Sequence, residues 1–299
     1  MRSFIFLILS FFSTMTFAAP TQVIVITGAS RGIGKVIAEH LASKENYRVY
    51  AGYRSVDSIK VLKERLFAIP IDVQDNSSCQ NAINMVLSRE GHIDVLINNA
   101  GCGILGPVET VTMEQVHKIF NTNVYGAIRM IQAVLPNMRA QKSGKIINVS
   151  SVAGLQGLAC WDMYCSSKFA LEGLSESMAL TLAPFNIHIS MIEPGPVVSD
   201  FMDHSTEVGN RNMMSNPYQI LVKNRLNQLC KSLNEGQDPK EVALLTEEII
   251  QSPTPHFRNL TNEAAKDRVK KKYNDLNFDN IITEGIIHIT PLWSEDFKN

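Results

Sequence analysis

A β-branched run, Val23–Thr27, passes straight into Gly28, Gly32 and Gly34 and then into an amphipathic pattern lasting to Ser43. Strand, glycine turn and helix in that order restrict the fold more than any other feature, because strand–helix alternation continues down the chain. Arg48–Ala51 and Phe67–Asp72 read as further strands, Asn76–Glu90 as a helix, and Asp94–Asn98 as a fourth strand. A long helical stretch over Met113–Arg139 leads to a fifth strand at Lys145–Val149, a helix carrying Tyr164, and a sixth strand at Ile187–Glu193. Alternating β and α units with apolar strands predict a parallel sheet with helices on both faces, the doubly wound α/β class. Right-handed crossovers then give the strand order 3-2-1-4-5-6, with room for a seventh strand.

The 299 residues suit one large domain, placed here at 20–299. Residues 1–19 stand apart: Arg2, an apolar run from Phe4 to Leu9, Phe11-Phe12, and small residues around Ala18. This is the layout of a secretory signal peptide and is short for a membrane span. An uncleaved membrane anchor and an incidental apolar extension are the alternatives. The segment predicts an exported or membrane-associated chain. A cytoplasmic setting is the competing expectation, because the cofactor argued below is abundant inside cells and unpaired cysteines suit a reducing compartment. Cys79, Cys102, Cys160, Cys165 and Cys230 are odd in number and have no zinc spacing, so neither a disulfide framework nor a metal is expected. Cys160 and Cys165 read as small packing residues. A net charge of −1 and a pI near 6.7 carry no basic excess, which argues against nucleic acid. The basic run Lys266–Lys272 reads as a solvated helix face.

The glycine turn permits close backbone approach, and the helix amino terminus behind it favours a pyrophosphate. An acid at the end of the second strand would hold a ribose 2′-hydroxyl, whereas arginine accommodates a 2′-phosphate. Tyr50-Ala51-Gly52-Tyr53-Arg54 has no acid, and Arg31 lies within the turn. Two guanidiniums at one corner match a phosphate, so NADP(H) is expected over NAD(H). Asp72-Val73 closes the third strand, where a carboxylate could accept from an adenine amino group. Asn98-Asn99-Ala100-Gly101 closes the fourth, with backbone beside the cofactor. Asn123 falls inside a helical pattern, an unfavourable place for asparagine, so a buried amide bridging water and backbone is expected.

Tyr164 and Lys168 share one helix face at i, i+4 spacing, above the apolar positions Leu171, Leu174, Met178 and Leu182. A cation close to a phenol favours the phenolate and brings it nearer to acid–base range. Ser151 follows the fifth strand, at the carboxyl end where α/β sheets hold ligands.

Together, TGASRGIG, Asp72, NNAG, Asn123, Ser151, Tyr164-x-x-x-Lys168 and Pro194-Gly195-Pro196-Val197 resemble the short-chain dehydrogenase/reductase family in order and spacing, over roughly Thr21 to Phe201. The resemblance implies a Rossmann fold. It also implies Tyr164 as acid–base, Lys168 as its partner and ribose ligand, Ser151 as orienter of the substrate oxygen, and Asn123 as anchor of a proton relay. Cofactor contacts implied in addition are Gly28, Ser30, Arg31, Gly32, Ile33, Gly34, Arg54, Asp72, Val73, Asn98, Ala100, Gly101, Pro194, Gly195, Val197 and Ser199. The run Tyr164–Ala179 and the segment Glu193–Val198 are similar to the group of hydroxysteroid and retinol dehydrogenases that use NADP(H). A small apolar carbonyl or alcohol is therefore the expected substrate, with a second copy of the chain as partner in a dimer. A substrate-covering segment is expected at about 200–235, with Met202, Met213, Met214, Tyr218, Ile220 and Leu221 as its apolar residues. A 3-oxoacyl-thioester reductase and a catalytically silent NADP(H)-binding sensor are the alternatives.

Overall fold

Ten strands and ten helices appear in the computed structural model, which describes residues 21–57, 60–210, 216–275, 277 and 279–292. In chain order the strands are β1 (Gln22–Ile26), β2 (Tyr47–Tyr53), β3 (Lys60–Lys63), β4 (Leu66–Pro70), β5 (Val95–Asn98), β6 (Gly103–Leu105), β7 (Gly144–Val149), β8 (Ile187–Glu193), β9 (Thr206–Val208) and β10 (Arg258–Leu260). The helices are α1 (Gly32–Ala42), α2 (Asn76–Glu90), α3 (Met113–Phe120), α4 (Gly126–Gln141), α5 (Asp162–Leu182), α6 (Phe201–Ser205), α7 (Asn216–Asn234), α8 (Pro239–Gln251), α9 (Glu263–Asn274) and α10 (Asp279–Ile289). The signal-like residues 1–19, together with Met213, Met214 and the tail from Trp293, lie outside the described residues.

Eight strands form the main sheet in the order β10-β8-β7-β5-β1-β2-β4-β3, parallel throughout except for β3 on β4. This is the expected 3-2-1-4-5-6 order, with β10 as the seventh strand. The added edge strand β3 was not legible in the sequence. All four of its residues are exposed, so Lys60-Val61-Leu62-Lys63 had no buried face to impose a pattern.

Both faces of the sheet are apolar, as the continuous hydrophobic strands demanded. Along β1, Val23 and Val25 join one layer with α2 and α4, including Ile83, Met130 and Val134. Ile24 and Ile26 point the other way and pack on Ile37 and Leu41 of α1 and on Val242 and Ile249 of α8. Each such side chain taken fully from water contributes about 1.5–3 kcal/mol.

The single long helix expected over Met113–Arg139 is instead three pieces. Thr112 and Gln115 form a capping box that starts α3. A π-helical turn, Asn121–Tyr125, then interrupts the ladder before α4 begins. Such turns arise inside α-helices by local widening and frequently mark functional sites. Lys272 also departs from the solvated face expected of the basic run. Its ammonium donates to the Leu155 carbonyl and lies 4.6 Å from the centre of the Phe169 ring. Among the described residues no helix is long and apolar enough to cross a membrane.

Candidate active site

The glycine turn after β1 is locked onto the segment after β5. Gly28 has φ +63°, and a Cβ there would fall 2.8 Å from Ala100 Cα. A Cβ on Gly34 would collide with the Asn99 amide. That amide donates to the carbonyls of Thr27 (3.1 Å) and Gly28 (2.9 Å). Thr27 Oγ1 in turn accepts from the backbone N–H groups of Asn99 and Ala100, each at 3.1 Å. The turn therefore leaves bare backbone at the amino end of α1, open to the cleft.

That cleft has a volume of about 590 Å3 and runs along the carboxyl ends of the central strands. Of the residues singled out in the sequence, Gly28, Ser30, Arg31, Gly32, Ile33, Arg54, Asp72, Val73, Ala100, Gly101, Ser151, Tyr164, Lys168, Pro194, Gly195, Val197 and Ser199 all line it. Arg31 and Arg54 are exposed along this wall, and among the described residues neither is ion-paired. Asp72 Oδ1 accepts from the Gln74 N–H at 3.0 Å, which fixes the carboxylate at the end of β4.

Gly34, Asn98 and Asn123 stand behind the wall. Asn98 is buried, and its amide donates to Asn148 Oδ1 at 2.9 Å between β5 and β7; the neighbouring Asn99 lines the cleft in its place. Asn123 is buried in the π turn and spends its amide on protein. Its Oδ1 accepts from Cys102 N–H at 2.8 Å, and its Nδ2 donates to Cys102 O at 2.9 Å and to Ser167 Oγ at 3.0 Å. These bonds clamp the start of β6 to α5 through the buried amide.

Ser151 stands two residues beyond β7 and caps the following turn, its Oγ accepting from Ala153 N–H at 3.1 Å. Tyr164 is half-buried on the first turn of α5, between the rings of Trp161 (4.8 Å) and Phe201 (5.9 Å). Burial pushes its phenol above the ordinary range, and the Ser151 hydroxyl pulls it part-way back. Lys168 is buried one turn on, with Nζ 5.8 Å from the centre of the tyrosine ring. It donates to the Val149 carbonyl at 2.9 Å, and burial lowers its pKa to about 8. The sequence predicted a phenol lowered by its neighbouring cation. Here burial governs both groups, raising the phenol and lowering the ammonium, because it penalises both charged forms at once.

Sequence reasoning missed Trp161 and Phe201, and of the asparagine pair it singled out Asn98 where Asn99 lines the cleft. Asn99 was inseparable in type from Asn98, whereas Trp161, one of two tryptophans, stood three residues before Tyr164. Leu221 and Val222 of α7, with Cys160 and Cys165, pack with these rings into an apolar end wall. Burial raises both thiols to about 11, in keeping with packing residues.

The short chain dehydrogenase family model matches residues 22–208. The chain belongs to that family. Human 17-beta-hydroxysteroid dehydrogenase type 1 is 38% identical over 280 residues, covering 87% of this chain and 84% of that protein. Human retinol dehydrogenase 8 is 35% identical over 262 residues, covering 82% and 83% respectively. Among solved structures, a short chain dehydrogenase/reductase from Burkholderia phymatum in complex with NAD has a TM-score of 0.74 at 25% identity, covering 88% of this chain and 96% of that one. The family binds NAD or NADP, and the cradle between Gly28, Ala100, Arg31 and Arg54 suits such a dinucleotide.

Proposed function

We propose that the chain interconverts hydroxyl and carbonyl groups on a small apolar substrate, using NADP(H). The observation that carries this reading is a single cleft that holds Ser151, Tyr164 and Lys168 against an apolar wall, with the glycine turn and two unpaired arginines along the same cleft. The bound nicotinamide supplies or accepts the hydride. Tyr164 gives a proton to the carbonyl oxygen in reduction and takes it back in oxidation. Ser151 holds that oxygen through its hydroxyl. Lys168 turns from the Val149 carbonyl towards the ribose and adds positive charge beside the phenol. Arg31 and Arg54 receive the 2′-phosphate, and Asp72 the adenine amino group.

The names of the relatives support an apolar ring- or chain-bearing substrate, and Trp161, Leu158 and Phe201 supply the matching wall. Dimer formation and export or membrane attachment through residues 1–19 rest on the sequence alone. NADPH and NADH oxidation over a panel of neutral ketosteroids, retinal and acyl thioesters tests the reading. Turnover of ketones with NADPH preferred is the expected result. In the Arg31→Ala, Arg54→Ala double variant the KM for NADPH should rise about 10- to 100-fold, with that for NADH little changed. An NADH preference in the unaltered chain would reject the cofactor assignment, and a preference for acyl thioesters would favour the alternative reductase reading.

A further inference from the structure

The apolar end of the cleft carries positive charge for which the chemistry above has no use. Arg225, in the middle of α7, and Arg268, on α9, both line it. Leu221, Leu226 and Leu229 on the same helix pack with Trp161 and Tyr164, so Arg225 belongs to the substrate half of the cleft. It is half-buried, and its Nε is fully enclosed without a hydrogen-bond partner. The side-chain acceptor it does have is the neutral Oε1 of Gln228. Among the described residues neither Arg225 nor Arg268 forms an ion pair, whereas Arg48 and Arg258 each meet a glutamate. Burial lowers the Arg225 pKa from its ordinary value, the neighbouring Cys160 and Cys165 sulfurs offset part of that, and the like charge of Arg268 lowers it further.

A guanidinium drawn out of water with donors unused is unfavourable unless an anion completes it. The surroundings restrict what that anion is attached to. Apolar side chains flank the guanidinium along the helix, so the anionic group must arrive on an otherwise apolar molecule. The planar fork of arginine matches the oxygens of a carboxylate or sulfate, which it can engage through two parallel bonds. We propose that the substrate is an apolar ketone or alcohol bearing an anionic group, a carboxylate or sulfate, remote from the reacting carbon, and that Arg225, assisted by Arg268, selects it. This inference rests on the oxidoreductase reading for the identity of the ligand as a substrate, but its charge preference is measurable without turnover.

The test is a calorimetric titration of the full chain with dodecanoate and with methyl dodecanoate, neither of which carries a ketone to reduce. Dodecanoate is expected to bind about 10- to 100-fold more tightly than the ester, the range of a charge-assisted hydrogen bond. Arg225→Met should abolish the difference, and Arg225→Lys should restore part of it. In turnover, a ketosteroid sulfate should show a KM lower than its unesterified parent, and the gap should close in Arg225→Met. Equal affinities in the unaltered chain, or a preference that survives Arg225→Met, would overturn the inference. A chain that prefers dodecanoate but oxidises NADPH with no ketone would instead sink the oxidoreductase reading. Turnover of neutral ketones with no preference for the anion would sink this inference alone.

Discussion

Tyr164 and Lys168 illustrate how a site can be legible by spacing while its electrostatics are not. The four-residue interval put both groups on one face of α5, but only the fold shows that both charged forms are penalised by burial. Three predictions rest on this pair. Tyr164→Phe should lower kcat about 10²–10⁴-fold, the usual contribution of a positioned acid–base group, while cofactor affinity persists. Near-normal turnover would remove the phenol from the chemistry. Lys168, at a pKa of about 8, is an ammonium below that value and a neutral amine above it. Affinity for NADP in the free enzyme should therefore fall as pH rises through 8, and Lys168→Ala should bind weakly with a flatter profile. The stability effect has the opposite sign. The unfolded lysine titrates near 10.5, so between about 8 and 10.5 the unfolded chain holds the extra proton and stability rises with pH. Denaturant midpoints of the unaltered chain and Lys168→Met across that interval check this.

Individual elements were readable where a buried face imposed a period. Strands β1, β2, β4, β5, β7 and β8 and helices α1 and α2 all lie where the sequence put them, because each presents apolar residues to one of the two core layers. Strands β6 and β9 escaped notice because three residues each leave no period to read. The π turn escaped for a different reason. Asn123 was recognised as out of place in a helix, yet only the partners Cys102 and Ser167 show why the ladder widens there. Most of the cleft wall was visible as motifs, whereas Trp161, Phe201 and Arg225 reach it through tertiary packing, which no local spacing records. The glycine turn yields the prediction at this scale. Gly34→Ala forces the Asn99 amide away from two carbonyls, so it should cost about 1–3 kcal/mol in chemical denaturation and weaken cofactor binding with it.

Across the whole molecule, the far edge of the sheet is tied in by a buried charge cluster. Arg258 of β10 donates to Glu193 of β8 at 2.9 Å and to Glu172 of α5 at 3.2 Å. One guanidinium serves two carboxylates. Burial, with the like charge of Glu172, holds the Glu193 carboxyl above its ordinary range. The folded chain therefore keeps a proton that the unfolded chain releases near pH 4.5, and stability falls as pH rises from there through the folded-state titration. Glu193→Gln, which fixes the neutral form, should flatten that decline. A thermal melting series from pH 5 to 8 reads the difference, and parallel curves for the two proteins would refute it.

The parallel ladder between β6 and β9 pairs Gly103 with Thr206 and Leu105 with Val208. It anchors the stretch after α6 to the one that the Asn123 clamp holds to α5. The far side of α7 is fastened as well: Gln237 N–H donates to the Pro196 carbonyl and its own carbonyl accepts from Val198 N–H, both at 3.0 Å. The wall that sets Phe201 against the phenol is thus moored fore and aft, and a guest must fit the berth it finds.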